Sequence, residues 1–97
     1  MVTLEMLRNE KRDDVLRLAA QHGARNIRFF GSVARGDERA ASDLDLLAEW
    51  ENGRSLLDHV ALVQDLEELL GTKVHIGAER SLHGYARDRI LKEARPL

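Results

Sequence analysis

Residues 26–50 read NIRFFGSVARGDERAASDLDLLAEW, and this stretch decides the fold. Asn26 to Phe30 is short and β-inclined through Ile27, Phe29 and Phe30. Gly31-Ser32-Val33-Ala34-Arg35-Gly36 then reads as a turn enclosing one helical turn. Asp43 to Trp50 alternates as a strand, with Leu44, Leu46, Ala48 and Trp50 on one face and Asp43, Asp45, Leu47 and Glu49 on the other. Upstream, Leu4 to His22 predicts one helix carrying an interrupted stripe of Leu4, Leu7, Val15, Leu18 and Ala19. Thr3 is its expected cap and Gly23 its stop. Downstream, Glu51 to Arg54 is a polar turn containing Gly53. Ser55 opens a second long helix, with Ser55 and Asp58 at capping-box spacing. Its predicted buried stripe is Leu56, Val60, Val63, Leu66, Leu69 and Leu70, and Gly71 ends it. Lys73 to Ile76 predicts a strand. A loop through Gly77 and Ser81 leads to a last helix at Tyr85 to Ala94, stopped by Pro96. Helices alternating with short strands indicate an α/β layer fold.

The chain has 97 residues, the size of one domain spanning 1–97. Hydrophobic residues make up 43% and charged residues 33%, a balance that supports a core and argues against disorder. There is no cysteine, which excludes a disulfide scaffold, a thiolate zinc site and a cysteine nucleophile. Fifteen basic residues against 17 acidic ones leave a net charge of −2, so direct nucleic-acid binding is not expected. Apolar runs fall far short of the roughly 18 residues a bilayer span needs, and Met1 to Glu10 has no signal-peptide core. A cytoplasmic protein with no membrane partner is the expectation.

Three features coincide between Gly31 and Asp45. Gly31-Ser32 follows a strand and precedes a helical turn, a joint whose backbone N–H groups suit a phosphate. Gly31 permits close backbone approach and Ser32 adds a hydroxyl. Asp43 and Asp45, two apart on a strand, project from one face with Cα atoms roughly 6.5 Å apart. Two such carboxylates suit Mg²⁺, which adds phosphate oxygens and water to its shell. Arg35 and Arg39 lie between these elements, within reach of phosphate oxygens. Singly, each feature is more often a plain turn, a solvated face or a surface arginine. Their order and spacing make the combination specific. The remaining residues read as structural. His22 sits at a helix end, His59 on a helix and His83 in a loop; Tyr85 reads as a packing residue, and Trp50 closes an edge of the core.

Gly31-Ser32, ten intervening residues and Asp43-Leu44-Asp45 resemble the signature of the minimal nucleotidyltransferases, within the DNA polymerase β-like superfamily. GSVARGD, SDLDLL, LEELLG, KVHI and RDRILKEARPL carry the resemblance from about Asn26 to Leu97. It implies a short mixed β-sheet packed by helices. It also implies that Gly31 and Ser32 hold the β- and γ-phosphates of ATP, and that Asp43 and Asp45 bind Mg²⁺. The implied reaction is in-line attack of a hydroxyl on the α-phosphorus, releasing pyrophosphate. Many members of this size resemble antitoxins paired with a HEPN-domain ribonuclease toxin, and some transfer AMP to a toxin tyrosine. One residue departs from the pattern. His75, in Lys73-Val74-His75-Ile76, stands where the family has a third carboxylate, and Glu79 is the nearest acid downstream. Imidazole is a poor Mg²⁺ ligand, though it is a competent general base near neutral pH. Two readings follow: a Mg²⁺- and ATP-dependent adenylyltransferase, with Asp43, Asp45 and His75 catalytic, or an impaired module of the same fold that neutralises its partner by binding. A third, modification of a small aminoglycoside-like hydroxyl compound, needs an acceptor region for which there is little room. So small a domain leaves apolar helix faces hard to cover, which points to a homo- or hetero-oligomer.

Overall fold

The structure, a computed structural model, describes residues 4–35, 43–78 and 82–97, and the side chains of all of these except Leu4, Ser32 and Val33. The expected Thr3 cap, Gly36, Arg39, Glu79 and the Ser81 loop lie outside the described residues. In chain order the elements are α1 (Leu4–Asn9), α2 (Arg12–Gln21), β1 (Ala24–Phe30), α3 (Ser32–Arg35), β2 (Leu44–Trp50), α4 (Leu56–Leu70), β3 (Val74–Ala78), α5 (Gly84–Glu93) and β4 (Arg95–Pro96). The strands form one mixed sheet in the order β3-β2-β1-β4, with β2 and β3 parallel and the β1 pairings antiparallel.

The core lies on one sheet face. Phe29, Leu44, Leu46, Ala48, Val74 and Ile76 meet Leu7 of α1, Val15 and Ala19 of α2, and Leu62, Leu66 and Leu70 of α4. Both sheet faces of β2 follow the predicted alternation, yet Leu47, on the aspartate face, is also fully buried. In β1 the parity breaks. Ala24, Ile27 and Phe29 are all buried because Asn26 adopts φ +52° and the register shifts between Arg25 and Arg28. Such a bulge inserts one residue and returns the following side chains to the core face. Asparagine tolerates this left-handed conformation, and its Nδ2 donates to Glu49 Oε1 at 3.1 Å.

The structure corrects several sequence expectations. The first helix is two helices. No apolar residue lies between Leu7 and Val15, and Glu10 to Asp14 is a run of five charges, so nothing holds a continuous helix to the sheet there. A straight helix would also set Leu7 and Val15 about 80° apart, and the break lets both become fully buried. In α4 the capping box forms as predicted: Leu57 N donates to Ser55 Oγ at 3.2 Å, and Ser55 N to Asp58 Oδ2 at 2.9 Å. Leu66 and Leu70 are buried as expected and Val63 and Leu69 pack against the core, but Leu62 completes the buried line, while Leu56 and Val60 are exposed. At 100° per residue those two stand about 120° and 160° around the helix from Leu62. A strand was missed at the C-terminus, where Pro96, expected only to stop a helix, sits in β4 at the sheet edge, the position that tolerates a missing N–H. Among the described residues no helix is long and apolar enough to cross a membrane.

Candidate functional site

The site is built where β1 ends and β2 and β3 begin. The register sets Phe30, Asp45 and His75 side by side across three strands. Leu44 N donates to Lys73 O at 2.8 Å, and Val74 N to the Glu67 carboxylate of α4 at 3.0 Å. These bonds pin the starts of β2 and β3 together. Asp43, one residue before β2, therefore lies beside β3, where His75 Nε2 and Asp43 Oδ2 are 2.6 Å apart.

After Phe30 the chain turns at Gly31, with φ +75°, into the single turn of α3, closed by Arg35 N donating to Gly31 O at 3.2 Å. Gly31 is required twice over. Its φ is left-handed, and a Cβ placed on it would lie 2.7 Å from Asp45 Oδ2. The Asp45 carboxylate thus seats against the bare α-carbon of this glycine.

The electrostatics follow from this crowding. Burial pushes the Asp45 carboxyl above the ordinary aspartate range; His75 pulls it down, Asp43 adds to the rise and Arg35 opposes it. The hydrogen bond His75 Nε2 donates to the Asp43 carboxylate raises the His75 pKa and favours its imidazolium form, although the ring is largely exposed. Arg35 does not stand alone, because its Nη1 donates to Glu93 Oε2 of α5 at 3.2 Å. Two half-buried carboxylates with a glycine backbone against one of them make a donor set that fits Mg²⁺, which takes one or two protein carboxylates and fills its shell with phosphate oxygens and water. Among the described residues no trio of His, Cys, Asp or Glu forms a complete protein cage for a metal.

Asp43, Asp45, His75, Gly31 and Arg35 therefore come together, while the Ser32 side chain and Arg39 lie outside the described residues. Glu93 went unnoticed in the sequence, since 58 residues separate it from Arg35 and no spacing rule links them. Residues away from the site have structural surroundings. Trp50 stacks on His59 with ring centroids 5.2 Å apart, and His22 Nε2 lies 2.7 Å from Asp65 Oδ2. Tyr85, read as a packing residue, is 82% exposed, because the first two turns of α5 touch no core.

The nucleotidyltransferase domain family matches residues 10–97. The chain is 41% identical over 86 residues to a candidate protein adenylyltransferase of Methanocaldococcus jannaschii, covering 89% of this chain and 92% of that protein. It is 34% identical over 93 residues to the protein adenylyltransferase MntA of Thermococcus cleftensis, covering 96% and 94%. Among solved structures, a candidate minimal nucleotidyltransferase superposes with TM-score 0.84 at 53% identity, covering 99% of this chain and 97% of that one. The MNT antitoxin complex with the tri-AMPylated HEPN toxin of Shewanella oneidensis shares the fold, with TM-score 0.64 at 16% identity and coverage of 87% and 66%. The motif from Gly31 to Asp45, the sheet that assembles it and these relatives together show that the chain belongs to the nucleotidyltransferase domain family, among its minimal members.

Proposed function

We propose that this chain transfers AMP from ATP to a protein hydroxyl, a tyrosine of a HEPN-type toxin, and so acts as an antitoxin. The observation that carries the reading is the pairing of Asp43 and Asp45 at one strand end, against the Gly31 turn. Relatives named protein adenylyltransferases, and an MNT antitoxin seen with an AMP-modified HEPN toxin, support the choice of nucleotide and partner.

Asp43 and Asp45 would hold Mg²⁺. Bound there, the metal would neutralise charge on the phosphates and make the acceptor oxygen more nucleophilic. Gly31 and Ser32 would cradle the β- and γ-phosphates through backbone N–H groups, and Arg35 would supply a guanidinium to the same oxygens. The acceptor oxygen forms a bond to the α-phosphorus, the bond from that phosphorus to the β-phosphate oxygen breaks, and pyrophosphate leaves. The acceptor proton passes to a base or to water. His75, taken to stand in place of a third carboxylate, is poised over Asp43 and offsets the repulsion between the two aspartates.

That same contact favours a second reading. His75 engages an Asp43 oxygen that a metal would use, as expected of an impaired module acting by complex formation. One experiment separates the two: the chain is incubated with ATP, Mg²⁺ and a co-purified HEPN-domain partner, and intact masses are measured. Addition of AMP to the partner, abolished by Asp45→Asn, is the expected result. A stable complex with an unmodified, silenced partner would leave the binding module standing instead.

A further inference from the structure

We infer that Glu93, at the end of α5, is a positioning residue that holds the Arg35 guanidinium toward the nucleotide phosphates. The inference rests on the proposed role of Arg35. Arginine has a long stem whose many rotamers must be frozen when it grips a ligand. Arg35 ends a one-turn helix and its side chain is half exposed, so α3 by itself does little to fix it. Glu93 Oε2 accepts from one terminal nitrogen, Nη1, at 3.2 Å. The guanidinium fork has five N–H donors, so a single contact leaves others for phosphate oxygens. A guanidinium already held in place brings a smaller ordering cost to binding.

Glu93 is itself rigidly placed. Only Ala94 separates it from β4, which pairs with Arg28 and Phe29 of the strand leading into Gly31. Leu97 N donates to Ile27 O at 3.2 Å, and Arg8 and Arg12 donate to the Pro96 and Leu97 carbonyl oxygens at 2.9 and 3.3 Å. The helix gains nothing from a carboxylate in its last turn, where the macrodipole disfavours negative charge. No residue of α5 is fully buried, and the half-buried Glu93 carboxylate lies against Arg35. Its defined partner is Arg35, whose charge also acts on Asp45.

The test is calorimetric titration of MgATP into wild type, Glu93→Gln, Arg35→Ala and the double variant, with denaturation midpoints measured alongside. Arg35→Ala is expected to weaken binding about tenfold, the effect of one charge-assisted hydrogen bond. Glu93→Gln should weaken it about three- to fivefold with an unchanged midpoint, and should add nothing in the Arg35→Ala background. Glu93→Asp, which keeps the charge, should recover part of the loss. If Arg35→Ala weakens binding while Glu93→Gln binds as well as or better than wild type, the positioning role is overturned and the proposed function stands. Equal losses from Glu93→Gln with and without Arg35 also overturn it. Wild-type protein that does not bind MgATP removes the proposed function and this inference together.

Discussion

Replacing Gly31 by alanine should injure the site through two separable effects. The first is backbone strain. At φ +75° an alanine costs about 1–2 kcal/mol relative to glycine. The second is contact. The new Cβ would stand 2.7 Å from Asp45 Oδ2, about 0.7 Å inside ordinary van der Waals distance, so the carboxylate must rotate away. Mg²⁺ demands near-ideal octahedral geometry, and disturbing the partners that orient a ligand typically costs about 10–100-fold in metal affinity. The molecule contains its own controls. Gly53 and Gly71 also have positive φ, +89° and +69°, but a Cβ on either meets nothing within 4 Å. Urea denaturation should therefore show all three alanine variants destabilised by about 1–2 kcal/mol. Titration with MgATP should show only Gly31→Ala losing affinity, by about 10–100-fold. If Gly31→Ala binds MgATP as tightly as Gly71→Ala does, the Asp45 carboxylate is not part of the binding site and the reasoning fails.

The other predictions concern charge. ATP binding should be weak in chelator and lost in the Asp43→Asn/Asp45→Asn double variant, since two carboxylates without a cation repel a triphosphate; equal ATP affinity with chelator present would contradict this. His75→Asp should raise the initial rate of nucleotidyl transfer at saturating Mg²⁺ by adding a third oxygen ligand, and should lower stability in chelator through repulsion with Asp43 and Asp45. Identical rate–pH profiles for wild type, His75→Asp and His75→Ala would exclude position 75 from the chemistry. Asp58 is held below the ordinary aspartate range, first by the backbone N–H of Ser55 and then by Arg54. Its stabilisation of α4 is thus complete above its unfolded pKa near 3.8 and is lost as pH falls through the lower folded value. The gap in urea midpoint between wild type and Asp58→Asn should be constant at neutral pH and close in that acid window; a gap that persists at pH 2 would be inconsistent with the capping box. Ser55→Ala, which removes the other half of that box, should cost about 1 kcal/mol in the same assay.

The elements whose causes are local are legible in the chain itself. Period-two alternation in DLDLLAEW assigned the aspartates to one face and Leu44, Leu46 and Ala48 to the other. Ser55 with Asp58 marked a helix start, and Gly71 its left-handed end. The glycine, serine and paired aspartates of residues 31–45 made the proposed site readable because nucleotidyl-transfer chemistry needs such groups at short separations. Whatever depends on which distant surface is near follows from the packed fold. Packing against β3 and α2 selected which side of α4 to bury, placing Leu62 inside and Leu56 outside, although both are leucines on one amphipathic helix. The bulge at Asn26 reset the parity of β1 so that Ile27 faces the core. Pairing of Pro96 with Arg28 made a strand from two residues that have no strand pattern of their own. Parallel register brought His75 onto Asp43, and the return of α5 brought Glu93 onto Arg35. Contacts between residues 32 and 58 positions apart leave no periodicity to read, because such pairing depends on how the intervening chain folds and not on local spacing.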